Sequence, residues 1–242
     1  MFRSPRARVL AIIAAVVLLA GIAVGAYLAL RDDAPEEASI DDAGETLDEE
    51  GFEAASIDDV AGTWRVTAGP GDADDTTTFV GYRVDEELGG GIGAQTAAGR
   101  TGDVTGTVTI VDGQVTEAGF EVDMTTLRSN EARRDNQLRG RGLETDAFPT
   151  AGFELTEPVP LPDDAVTGER LSFTATGDLT LHGVTKQVTI ELEADLREGL
   201  IAIVGAAPIV LADYEIEPPE GGFIVSVADE GTLEFQLFLE PA

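Results

Sequence analysis

Arg128, Arg133, Arg134, Arg139 and Arg141 all fall within "LRSNEARRDNQLRGRG", Leu127 to Gly142. The whole chain has only 15 Lys and Arg among 242 residues and a formal net charge of −31. Guanidinium groups present planar forks of donors that match phosphate and carboxylate, so a cluster of this kind suits an oxyanion. With Glu131 and Asp135 included, residues 128–141 carry five positive and two negative charges, a local excess of three. On a helix, Arg134 and Leu138 share one face, as do Arg133 and Gln137. A structural reading stands beside the chemical one. An Asp135–Arg139 pair at i,i+4 fits it and contributes only ~0.3–0.5 kcal/mol.

The other reactive side chains point to little chemistry. His182 is the single histidine and cysteine is absent. Thiol catalysis and cysteine-ligated metals are therefore excluded, and no acid–base constellation surrounds the "HGVT" turn that His182 begins. "GDADD" at Gly71 to Asp75 lacks the spaced ligands of a calcium loop and reads as a solvated turn. "GGGIG" at Gly89 to Gly93 lacks the strand-then-helix context of a phosphate loop and reads as a connection between strands. The strong acidity argues against nucleic acid as a partner.

The N-terminus has Arg3, Arg6 and Arg8, then an uncharged apolar run from Val9 to Leu30. Such a run rises ~33 Å as a helix, enough to cross a hydrocarbon core. We expect residues 1–8 in the cytoplasm, an uncleaved transmembrane signal anchor at 9–30, and the rest of the chain outside the cell membrane. A cleaved signal, with "AVGA" at Ala23 to Ala26 as its site, is the alternative. Residues 31–60 are rich in Asp and Glu and poor in bulky side chains, the composition of a disordered linker.

From Thr63 onward the pattern has period two. Phe120, Val122 and Met124 share one face of a run whose other face carries Glu121 and Asp123. Leu171, Phe173, Ala175, Leu179 and Leu181 line up likewise, as do Val188, Ile190 and Leu192, and Leu233, Phe235, Leu237 and Leu239. Asp112-Gly113 marks a tight hairpin. Six to nine antiparallel strands give an all-β sandwich or closed barrel, and the long strands favour a barrel that removes its own edges. The inward candidates are Phe79, Phe120, Met124, Leu138, Phe153, Phe173, Leu179, Ile190 and Phe235. Periodicity does not say whether they pack a core or line a pocket.

The run "FEVDMTTLRSNEARRDNQLRGRGLETDAFPTAGFEL" carries Val122-Asp123, Arg134-Asp135 with Leu138, and Pro149-Thr150 with Phe153, and the hairpin Gly177 to Thr185 follows it. These two ordered motifs resemble the YceI-like polyisoprenoid-binding family. The resemblance covers residues 61–242 and implies a lipocalin-like antiparallel β-barrel with one short helix and a long apolar lumen. It further implies an isoprenoid, quinone or similar amphiphilic lipid as ligand, its head near the arginine helix at the mouth. Arg133, Arg134 and Gln137 are the resulting head-group candidates. Gln137 stands where many members carry histidine, which puts the head-group chemistry in question. The expectation is a binder for carriage, storage or stress protection, without cofactor, metal or catalytic residue. A filled barrel that binds partners is one alternative, and an enzyme acting on an isoprenoid lipid is another.

Overall fold

The computed structural model describes residues 34–73, 76–162, 170–219, 221 and 224–242, with 12–19, 21, 22 and 25 of the N-terminal run. Twelve strands form one antiparallel sheet. They are β1 (Gly62–Thr67), β2 (Phe79–Leu88), β3 (Gly93–Thr101), β4 (Val104–Val111), β5 (Gln114–Asp123) and β6 (Arg128–Ser129). The second half holds β7 (Thr150–Leu155), β8 (Val159–Pro160), β9 (Leu171–Leu181), β10 (Val184–Arg197), β11 (Leu200–Val210) and β12 (Ile224–Pro241). The order β1-β4-β5-β7-β9-β10-β11-β12 closes on itself because β12 also pairs with β1. The result is an eight-membered barrel. β2 follows β1 along the same edge of β12, and β3 follows β4 beside them.

Local chemistry sets the hairpins. Asp112 and Gly113 have φ of 50° and 70°, and His182 and Gly183 have 52° and 74°. Two positive φ values in a two-residue loop define a type I′ turn, whose twist matches that of the strands it joins. The turns fix the register at Val111↔Gln114 and Leu181↔Val184. His182 adopts the unusual conformation because its ring is held from both sides. Nδ1 lies 3.0 Å from the Tyr214 carbonyl, Nε2 lies 3.1 Å from Glu144, and Phe148 packs 4.1 Å away. The histidine is a structural turn residue, as its sequence context implies.

Residues 31–60 depart from the expected disordered linker. Among those described, Ile40–Glu49 forms a helix, α1, capped by the Ser39 hydroxyl on Asp42 N–H. Ile40, Ala43 and Leu47 form an apolar stripe buried against Leu200, Ala202, Val204 and Phe238 on the barrel's outer wall. Four arginines of the barrel hold the same segment. Arg197 chelates Asp195 at 2.7 and 2.8 Å and reaches Asp48 at 2.5 Å. Arg170 pairs with Asp41, while Arg83 and Arg100 donate to the carbonyls of Pro35 and Glu36. Acidity made the segment look disordered, yet three correctly spaced apolar residues and complementary cations order it.

Half of the expected membrane span, 9–30, falls outside the described residues. Its described part is helical and exposed. Among the described residues no helix is long and apolar enough to cross a membrane.

Candidate functional site

Alternation in the strands sends one side-chain set into the barrel, and there the molecule is hollow. A cavity of about 660 Å3 runs through the interior, within the roughly 300–1,000 Å3 typical of small-ligand pockets. Phe120, Phe153, Phe173, Leu192 and Phe235 point inward yet are only half-buried, because they face empty space. By contrast, the outward Ala202 and Phe238, covered by α1, are fully buried.

The aromatic rings keep the lumen open by lying along its wall. Tyr82 and Phe120 cross Gly99 and Gly106, their partners on the neighbouring strand, and Phe235 crosses Gly205 in the same way. Phe153 lies diagonally over Gly177. A Cβ on any of these four glycines would come within 3.0 Å of the ring, so a larger residue would force the ring inward. Aromatics covering glycines on adjacent strands are a recognised device of sheet construction.

Eight of the nine sequence-derived lumen residues line this cavity: Phe120, Met124, Leu138, Phe153, Phe173, Leu179, Ile190 and Phe235. Phe79 does not. On β2 the inward phase is Val80, Tyr82, Val84 and Glu86, so Phe79 lies on the outer face. There its ring sits 3.9 Å beneath the Arg100 guanidinium. The chain before β2 gives little clue to strand phase, which is why the sequence misassigns this residue.

The arginine stretch does form a helix, α2 (Ala132–Gly140), at a polar end of the cavity. Arg133, Arg134 and Gln137 all line it. Arg134, however, is already engaged: it pairs with Glu86 and donates to Asn130 Oδ1 at 2.7 Å. Gln95 donates to the same Glu86 oxygen. Arg133 has no such pairing among the described residues and is exposed. The anticipated Asp135–Arg139 pair does not form. Asp135 instead accepts from the Ser129 N–H and hydroxyl, both at 2.7 Å, tying α2 to β6. Leu138 is the only buried residue of α2 and enters the core with Met124 and Leu127.

Tyr82 and Glu86 were not foreseen from sequence, and both lie at this end. Tyr82 enters the lumen beside Arg134, Asp135 and Glu86, and burial pushes its phenol well above the ordinary tyrosine range. The phenol oxygen is the one buried side-chain polar atom without a hydrogen-bond partner among the described residues. The signal lay in "FVGYRVDEEL", where tyrosine and glutamate fall on the same phase as valines.

A model described as the YceI-like domain matches residues 72–239. A UPF0312 protein of Vibrio campbellii is 39% identical over 105 residues, covering 39% of this chain and 50% of the relative. One from Photorhabdus laumondii is 30% identical over 118 residues, covering 48% and 55%. The chain thus spans about half the length of the curated relatives it matches. Among solved structures, a polyisoprenoid binding domain from Saccharophagus degradans, implicated in plant cell wall breakdown, aligns with a TM-score of 0.54 at 17% identity. It covers 74% of this chain and 98% of that one. BcnA of Burkholderia cenocepacia aligns at 0.51 and 16% identity, covering 66% and 95%. At these identities the likeness concerns the fold.

Proposed function

Because the chain belongs to the YceI-like family and its barrel is hollow, we propose that it binds an isoprenoid, quinone or similar long-chain amphiphile, tail inward and head at the α2 end. The observation that carries this reading is the open apolar lumen with a polar end. Burying each CH2-sized unit of a chain contributes about 0.8 kcal/mol, so affinity needs no chemistry. The alternatives fit less well. A filled barrel is at odds with the cavity, and an enzyme would need a free acid–base pair where Glu86 is occupied by Arg134 and Gln95.

The proposal extends to the membrane. The apolar run would anchor the chain with the barrel on the extracytoplasmic side, and the exposure of Ile12, Val16 and Leu19 supports that role. Docking at Pro35 and Glu36 shortens the tether. From Leu30 to Pro35 an extended chain spans at most ~18 Å. Those docking points sit on Arg83 and Arg100 of β2 and β3, the strands that also carry Glu86 and Gln95 at the polar end. The anchor would therefore bring the mouth toward the lipid surface.

Displacement of an environment-sensitive fluorescent probe tests the binding reading. Geranylgeraniol should displace the probe from the wild-type lumen, and Ala118→Phe, which fills a lining position, should abolish its uptake. Equal probe binding by wild type and A118F would place the ligand elsewhere.

A further inference from the structure

The barrel is hollow toward α2 and filled toward its other end. On β9, β10 and β12 the cavity lining stops at Phe173, Leu192 and Leu237. The next inward residues, Leu171, Ala194 and Leu239, do not reach the cavity and are buried in one cluster with Trp64. Trp64 lies directly opposite Val108, a lining residue, so its indole turns to the same inner face.

The segment between α1 and β1 completes this layer. Ala55, Ile57 and Val60 join the same cluster, and the Ala55 N–H donates to the Leu196 carbonyl at 2.9 Å. The Trp64 indole N–H donates to the Val60 carbonyl at 2.7 Å. Ser56 donates its N–H and its hydroxyl to the Asp59 carboxylate, which fixes the helical turn Ile57–Val60. Residues 55–60 thus plug the end of the barrel, and they lie outside the 72–239 domain match.

A floor at a fixed depth measures what enters. From Leu181, which packs beside Leu138 of α2, the lining runs down β9 to Phe173. At ~3.3 Å per residue and a strand tilt of ~40°, that stretch is about 20 Å deep. An extended isoprene unit has four chain bonds against a residue's three and reaches about 5 Å. Volume gives the same answer. A carbon-sized group fills about the ~30 Å3 that a water takes in the liquid, so the 660 Å3 cavity holds roughly twenty.

We propose that Trp64 and the plug at residues 55–60 set the length of tail this barrel accepts, at about four isoprene units. The inference rests on the lumen-binding reading above and adds a size class to it. A shorter tail leaves part of the lumen empty and forfeits its contacts. A longer one leaves its excess units in water at the mouth. Occupancy therefore peaks where tail and lumen match.

The test offers the full chain, kept soluble in amphipol, an equimolar mixture of prenyl alcohols of three, four, five and nine units. Native mass spectrometry reads which are bound. Wild type should favour the four-unit alcohol, geranylgeraniol, at least tenfold over the nine-unit one. Trp64→Phe shrinks the floor and frees the Val60 carbonyl, and should raise the five-unit share about three- to tenfold. Val60→Ala should shift the profile the same way by less, and takes over as the test if W64F does not melt cooperatively. Equal uptake of all lengths by wild type, or a preference for nine units, would overturn the length limit while leaving the lumen reading intact. A four-unit optimum unchanged in both variants would overturn the role of Trp64 and the plug. Failure of wild type to take up any of the four would overturn both readings.

Discussion

Helices α1 and α2 are similar in length and opposite in charge, and the barrel holds them by different means. Acidic α1 buries an apolar stripe of Ile40, Ala43 and Leu47, and arginines of the wall secure its flanks. Basic α2 buries only Leu138, and its position depends on polar ties from Arg134 to Glu86 and from Asp135 to Ser129. The first arrangement closes a wall and the second frames a mouth. The lesson concerns charge as a clue. An acidic run signified an ordered strap, and a basic run signified a framework whose central arginine is spent internally.

Substitutions that strip each helix of its own support sharpen this comparison. The largest effects belong to α1. Leu47→Ala removes a fully buried side chain and should cost about 2–5 kcal/mol. Arg197→Ala leaves Asp195 buried without its partner and should cost about 3–5 kcal/mol. Chemical denaturation of both variants measures these losses. A loss below 1 kcal/mol in either would return residues 34–60 to the status of a tether.

Next in size is Arg134→Ala, which strands Glu86 and should cost about 2–3 kcal/mol. Arg133→Ala is its control and should stay within about 0.5 kcal/mol, because the side chain is exposed. Equal destabilisation by the two would mean that α2 is held by its charge as a whole rather than by one pairing.

Gly205→Ala probes the wall that α1 covers from its inner side. Forcing Phe235 off its glycine should cost about 1–3 kcal/mol and reduce lipid capacity, readable by melting and by probe uptake. Unchanged uptake would mean that the ring does not set the lumen's width.

The smallest expected effect is on pH dependence. Hydrogen bonds from Thr125 hold the Asp123 carboxyl below its usual range, and those from Ser56 do the same for Asp59. A depressed carboxylate stabilises the fold fully above its unfolded value of ~4, and that contribution is lost as pH falls through the folded value. Asp123→Asn should therefore flatten the acid limb of a stability–pH curve slightly and leave stability above pH ~5 parallel to wild type. A change confined to neutral pH would contradict the assignment.

Much of the barrel is legible because its signals are local. Asp112-Gly113 names its own turn, and alternation around Phe120, Phe173 and Phe235 marks the lumen face without further context. α1 was missed because composition averages over a window in which only Ile40, Ala43 and Leu47 matter. A complementary signal stands in "LIAIVGAAPIV": an unbroken apolar strand needs cover on both faces, and α1 supplies the second. The occupancy of Arg134 was beyond sequence because its partner, Glu86, lies 48 residues away on another strand. Hollowness was also beyond it, since an inward phenylalanine packs a core or lines a pocket with the same periodicity.

Native mass spectrometry of residues 34–242, with α1 retained, followed by denaturing lipid extraction, tests the central claim most directly. The account predicts a discrete added mass, present on isolation or gained on incubation with prenyl lipids, that is released as an amphiphile on unfolding. Only the protein mass, even after incubation with prenyl alcohols and quinones, would contradict a lipid-holding lumen.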